Sequence, residues 1–331
     1  MAPERGGAET GSGGSEEAGK WSAGEVVERV NRYLLYGGRE NYLHLCRYLL
    51  CLQEERQEED CPLPQELPFE GMYFPEDGAG GKVCACWEEY AKELTARGEA
   101  DVLSLPRAGL ISHRSSWISD DLSVEAALSE EFRKRGIYLV CAFHSGAPDP
   151  AMKNHSLQEL MDCFFRSAGL PVIGALVNLS VWGAVSQEGS DLFEETARLY
   201  REWNLPVFYP LVSLFSTEEM LAASREPLAA ELPWLYLQPE MQGMTEPVLI
   251  ACRDGKGRTQ VLPGRAGHFA GRAARWMRMR GKRNGDKKVA LILTMPSVPA
   301  WKLRSGRLTA WTPREHGRYS EASEGGRLSD R

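Results

Sequence analysis

The chain has 331 residues, 43% hydrophobic and 26% charged, with a net charge of −7. This composition supplies a packed core and argues against wholesale disorder, and the negative balance argues against nucleic-acid binding as the main function. No apolar run approaches the ~18 residues of a membrane span and the chain opens without an apolar signal segment, so a cytoplasmic protein with no membrane span is expected.

Residues 1–20 are Gly, Ser, Glu and Ala with little to bury, and are expected to be disordered. A helix is predicted from Ser22, where Glu25 three residues on completes a capping box and Val26, Val27, Val30, Leu34 and Leu35 recur at helical spacing. Gly37-Gly38 breaks it, and Glu40–Glu54 resumes with Leu43, Cys46, Leu49 and Leu50 on one face. The acidic run Glu54–Asp60 and prolines 62, 64 and 68 form a linker. Cys84–Thr95 then reads as a helix, and an alternation of strands and helices begins. Its parts are strand Gly109–His113, helix Ser123–Lys134, strand Ile137–Phe143, helix Ser156–Ala168 and strand Val172–Asn178. Helix Leu192–Trp203, strand Pro206–Tyr209 and helix Thr217–Ala223 follow. Asp120 or Asp121 is placed to cap the helix from Ser123.

The fold class expected is therefore α/β: a doubly wound parallel sheet, with a short helical amino-terminal region and a disordered tail. Phe269–Lys282 reads as a basic helix and Lys288–Thr294 as a further strand, after which periodicity dissolves. The domain organisation expected is 1–20 disordered, 21–68 helical region and linker, and 69–286 α/β. Residues 287–295 would be the first strand of another α/β unit, and 296–331 an unstructured tail. The eight cysteines read as reduced thiols, since Cys84-Ala85-Cys86 has no second close pair to complete a four-ligand zinc site.

The loop His113–Asp121 is rich in groups that hydrogen-bond, ligate or stack, and would sit at the carboxyl end of a parallel strand, where such sheets bind ligands. The next strand ends on His144, so the two histidines are expected to flank one crevice. Each is a candidate metal ligand or proton acceptor, because imidazole titrates near neutral pH and binds late divalent ions. The plainer reading is a strand-end histidine bonded to backbone. Arg114 is either a partner for ligand carboxylates or a solvated cation, and Trp117 either a stacking surface or a buried anchor. Ser116 and Asp120 read as loop and cap residues. Asn178, Ser180 and Trp182 close another strand on the same rim, with turn chemistry and core packing as the alternative.

Several blocks, in order, carry a family resemblance. They are Tyr33-Leu34-Leu35-Tyr36-Gly37-Gly38-Arg39-Glu40-Asn41, Pro68-Phe69-Glu70-Gly71-Met72-Tyr73-Phe74-Pro75 and Gly109-Leu110-Ile111-Ser112-His113-Arg114-Ser115-Ser116-Trp117. Leu176-Val177-Asn178-Leu179-Ser180, Ala273-Ala274-Arg275-Trp276-Met277-Arg278 and Lys287-Lys288-Val289-Ala290-Leu291-Ile292-Leu293 continue the series. The chain resembles the amino-terminal part of the large subunit of ATP-dependent cobaltochelatase, a family shared with the magnesium chelatase H-type large chain. The resemblance implies a tetrapyrrole substrate and insertion of cobalt, or magnesium in the other branch, with no permanently bound cofactor. It also implies AAA+ ATPase partner subunits that hydrolyse the ATP. In line with that division, Gly255-Lys256-Gly257 lacks the spacing of a phosphate loop. His113, Arg114, Ser116, Trp117, His144, Asn178 and Ser180 are the substrate-binding candidates, with His113 and His144 also the metal candidates. Family members are several times longer, and a truncation or frameshift near Thr294 is the expectation. The competing readings are a non-catalytic flavodoxin-like ligand-binding module and a partner-docking module using the basic helix.

Overall fold

A computed structural model describes residues 22–54, 61–150, 152–180, 192–226 and 228–290. The expected disorder of residues 1–20, the acidic run 55–60, Trp182 and everything beyond Ala290 lie outside these residues. The chain divides after Ala274 into two units.

Helix α1 (Ala23–Tyr36) starts on the expected capping box: Ser22 accepts from the Glu25 amide and the Glu25 carboxylate accepts from the Ser22 amide. Gly37 and Gly38, at φ 63° and 85°, make a turn that side chains resist, and α2 (Arg39–Gln53) follows. The buried faces differ from those the apolar spacing suggests. Leu34, Leu35, Leu43, Leu49 and Leu50 are exposed, whereas Arg29, Tyr33, Tyr48, Cys51 and Cys61 are buried. Arg29 stacks on Tyr48 and donates to the Cys61 and Pro62 carbonyls, so a polar network joins the packing of Val26, Val30, Leu45 and Leu52 in closing this helical pair.

The central sheet has five strands in the order β1 (Gly71–Tyr73), β3 (Tyr138–His144), β2 (Arg107–His113), β6 (Leu176–Asn178) and β7 (Val207–Phe208). β1 is antiparallel to β3, and all other pairings are parallel. On one face lie α3 (Trp87–Ala96), α6 (Leu157–Phe165) and α7 (Leu192–Trp203), packed on Met72, Ile111, Val140, Ala142 and Leu176. The other face carries α4 (Arg114–Ile118) and α5 (Ser123–Arg133), with Trp117 stacked on Phe143 and Phe132 against Phe269. This is the α/β class expected, with both faces covered and β3 buried along its length. Gly109 has a packing reason: a Cβ there would meet Ile173 and Phe165 at 2.9–3.0 Å.

Several expectations are corrected. The polar loop after β2 is a single helical turn, α4, capped by His113. α5 has no side-chain cap; Asp120 and Asp121 bond elsewhere. α6 starts as expected, on a Ser156–Glu159 capping box that the structure reveals, but ends at Phe165, because Ala168 and Gly169 take positive φ in a hairpin of β4 (Arg166–Ser167) and β5 (Leu170–Pro171). Strand Val172–Asn178 shortens to β6. A second sheet escapes the sequence altogether: β10 (Thr259–Val261), β9 (Leu249–Arg253) and β8 (Leu211–Thr217), in that order. Between β8 and β9 come α8 (Glu218–Ala223) and α9 (Gln238–Met241).

The basic helix is α10, Arg265–Gly281, longer than expected at its start. In the second unit, residues 284–286 form one helical turn and residues 288–290 carry no strand. All eight cysteines are free thiols, and no helix among the described residues is long and apolar enough to cross a membrane.

Arg114 ties the helical region to the sheet. Its guanidinium donates to the carbonyls of Pro68 and Tyr36 at 2.7 Å and lies over the Phe69 ring. Burial lowers its pKa to about 10, which still leaves it charged at neutral pH. Arg114→Met keeps the stem and orphans these carbonyls, so urea unfolding should show a loss of about 2–4 kcal/mol. A loss under about half a kcal/mol would contradict this account.

Candidate functional site

In chain order the parallel strands β2, β3, β6 and β7 lie as 2-1-3-4, so the direction of winding reverses between β2 and β6. A crevice opens outside the carboxyl ends of strands at such a point, because the crossover helices leave on opposite faces. Here it is a cleft of about 1240 Å³. Its walls come from the end of β2, helix α4, the start of α5, the turn at 75–80 and the β8–β10 sheet.

Of the expected site residues, His113, Ser116 and Trp117 line this cleft. His113 and His144 are register partners in the β2–β3 pairing, with ring centroids 6.2 Å apart and nearly perpendicular. His113 Nδ1 accepts from the Ser115 amide and meets the Ser115 hydroxyl at 2.8 Å. Burial first, and the charge of Arg114 second, lower its pKa against an opposing backbone hydrogen bond with Ser145. The imidazole is therefore neutral at pH 7.

His144, 1% exposed, does not face the cleft. Nδ1 accepts from the Gly146 amide at 2.9 Å and Nε2 lies 3.0 Å from Ser180 Oγ, so the neutral ring carries its proton on Nε2. Burial, with His113 adding, pushes its pKa down to about 4. Both nitrogens are thus engaged by the rim's own backbone and Ser180. Asn178 donates to Tyr200 Oη and accepts from the Ser180 amide, and Arg114 serves the carbonyls described above. The structure therefore places Arg114, His144, Asn178 and Ser180 behind the cleft wall, where they hold its shape. Among the described residues no three His, Cys, Asp or Glu side chains gather to hold a metal ion.

Trp117 is an anchor with one edge on the cleft. It is 2% exposed, parallel to Phe143 at 4.4 Å, and its Nε1 is buried without a partner.

Sequence reasoning missed three features. Asp121 accepts from the amide and hydroxyl of Thr259 and pairs with Arg253 at 3.4 Å, joining the two sheets at the cleft mouth. Asp120, at φ 56°, accepts from the Ala79 amide beside Gly78, where a Cβ would stand 2.7 Å from the Asp120 carboxylate. Most telling is Glu125 in the first turn of α5. It lines the cleft, is 2% exposed, and burial pushes its pKa up to about 7, with Asp121 adding and Ser112 opposing. It stands one and two turns before Leu128 and Phe132, so an acid on the buried stripe was the signal available.

A family model described as CobN/Magnesium Chelatase matches residues 31–305. The chain belongs to that family. An uncharacterised protein of Methanocaldococcus jannaschii is 23% identical over 82% of this chain and 21% of its own length. The magnesium-chelatase H-type chain of Chlorobaculum parvum is 22% identical over 80% of this chain and 20% of its own. ChlH, the chloroplastic magnesium-chelatase chain of Oryza sativa subsp. indica, is 25% identical over 60% and 14%. Among solved structures, the catalytic subunit of cobaltochelatase from Mycobacterium tuberculosis shares the fold, with a TM-score of 0.52 and 17% identity over 79% of this chain and 20% of that one. The chain spans about a fifth or less of the length of these CobN/magnesium chelatase relatives.

His144 and Glu125 give opposite dependences of stability on pH. His144 falls from 6.5 to about 4, so its contribution is complete above pH 6.5 and lost as pH drops toward 4, up to ~3 kcal/mol. Glu125 rises from 4.5 to about 7, so its contribution is complete below pH 4.5 and lost as pH rises through 7. Between these limits the two slopes offset each other. Glu125→Gln should therefore lose stability more steeply than the parent chain on acidification from pH 6.5 to 4.5 in urea titrations. Equal slopes would refute the buried-acid assignment.

Proposed function

We propose that this chain forms part of the tetrapyrrole-binding large subunit of a metal chelatase, one that inserts Co²⁺ into a corrinoid precursor in cobalamin biosynthesis. Membership of the CobN/magnesium chelatase family supports the reaction class. The observation that carries the assignment to a site is the cleft itself: 1240 Å³ at the switch point, of a size for a macrocycle rather than a metal ion alone.

Insertion requires a metal stripped of water, a ring held in place and two pyrrole protons removed. His113, Ser116 and the edge of Trp117 contact the ring in this reading, and the metal ion enters as substrate. ATP is hydrolysed by AAA+ partner subunits, as the family resemblance implies. The magnesium branch is the second reading, favoured by the two relatives named as magnesium-chelatase subunits. A complex reconstituted with its ATPase subunits should turn over Co²⁺ in preference to Mg²⁺; the reverse preference would move the protein to the magnesium branch.

The chain alone should bind a free-base porphyrin or metal-free corrinoid, followed by the shift in macrocycle absorbance. Ser116→Tyr fills the cleft and should weaken that binding by about tenfold or more, in keeping with a loss of at least ~1.4 kcal/mol. Unchanged affinity would remove the cleft from the substrate site.

A further inference from the structure

Among the described residues the cleft wall holds one buried carboxyl that no cation pairs with, Glu125. Of its other carboxylates, Asp77 is gripped by Arg97, Asp121 by Arg253 and Thr259, and Asp120 by the Ala79 amide, while Glu40 is exposed to solvent. Glu125 has no ion-pair partner among the described residues, although it is as buried as the core leucines around it. It faces Ser112 on β2, whose hydroxyl lies 3.3 Å from Tyr73 Oη on β1. Cys141 of β3 and the Asp121 carboxylate complete the titratable groups around it, with His113 one residue beyond Ser112. Tyr73 and Cys141 are held protonated by burial, so both are neutral beside the Glu125 carboxyl.

A buried acid without a cation costs stability, as the neutral form must be kept or the charge left unsolvated. Such a group on the wall of a macrocycle-sized cleft is a functional candidate, because a base poised near neutral pH both takes up and returns a proton readily.

The geometry points to Glu125 as the proton acceptor of the cleft, taking a pyrrole N–H proton from the bound macrocycle as the metal ion enters. This rests on the tetrapyrrole reading of the cleft given above. The N–H bond breaks and an O–H bond forms on the Glu125 carboxyl. The electron pair stays on nitrogen and becomes the bond to the metal. The second pyrrole proton passes to water, and the Glu125 acid later returns its own proton to water in the cleft. Ser112 positions the carboxyl, and Tyr73 positions Ser112.

The test compares two rings of the same outline: a free-base porphyrin, which offers N–H donors, and its Ni²⁺ complex, which has none. Titrations of the 331-residue chain from pH 5.5 to 8.5 read the affinity for each. Free-base affinity should fall by about tenfold per pH unit below pH 7, the slope for one carboxylate that must be ionised, while the Ni²⁺ complex shows no such slope. Glu125→Gln should abolish the slope, and Glu125→Asp should keep it at reduced affinity. Free-base binding that is flat with pH, or that keeps its slope in E125Q, would overturn the role of Glu125 alone. Failure of the parent chain to bind either ring would overturn the tetrapyrrole reading and this inference with it. If E125Q does not fold, ¹³C-carboxyl NMR of the glutamate-labelled parent chain decides. A carboxyl that titrates near pH 7 and moves when free-base porphyrin is added supports the role; the absence of any such carboxyl overturns it.

Discussion

Parallel pairing of β2 with β3 on one side and β6 on the other is the constraint on which the rest of the structure depends. Parallel neighbours cannot be joined by a hairpin, so each must be reached by a crossover, and right-handed crossovers send α5 and α6 to opposite faces. The opening between β2 and β6 is the direct consequence. The seven-residue register of β2 with β3 brings His113 and His144 level, and sets Ser112 beneath Glu125.

Around that opening, polar groups divide into those already engaged and those left over. Arg114, His144, Asn178 and Ser180 make their hydrogen bonds to backbone, to Tyr200 or to one another, and burial makes those bonds costly to exchange. They act as a rigid frame. Asp121, Arg253 and Thr259 tie the β8–β10 sheet to the start of α5, so the far wall is set by the same kind of bond. Inside the frame, burial shifts His113 and Glu125 in opposite directions, lowering the imidazole and raising the carboxyl to about 7.

The Glu125 carboxyl also explains a local oddity of α5. An acid near a helix start is favoured by the exposed amides, and here that advantage is combined with burial against Ser112. The helix dipole and the serine hydroxyl lower the cost of the charge without removing it. A cation in their place would have silenced the group.

The sequence by itself determined what depends on near neighbours in the chain. The capping box at Ser22, the break at Gly37-Gly38, the strand–helix alternation and the α/β class are all short-range or periodic signals. It also placed His113 and His144 at strand ends, where a parallel sheet gathers its ligands. Only the tertiary structure decided which of the site candidates face the cleft, because that depends on bonds between groups far apart in sequence: Arg114 with Tyr36, His144 with Ser180, Asp121 with Thr259. The same reason hid the β8–β10 sheet, whose strands are short and pair across long intervals, and hid Glu125, whose chemistry comes from burial by elements that α5 alone does not reveal.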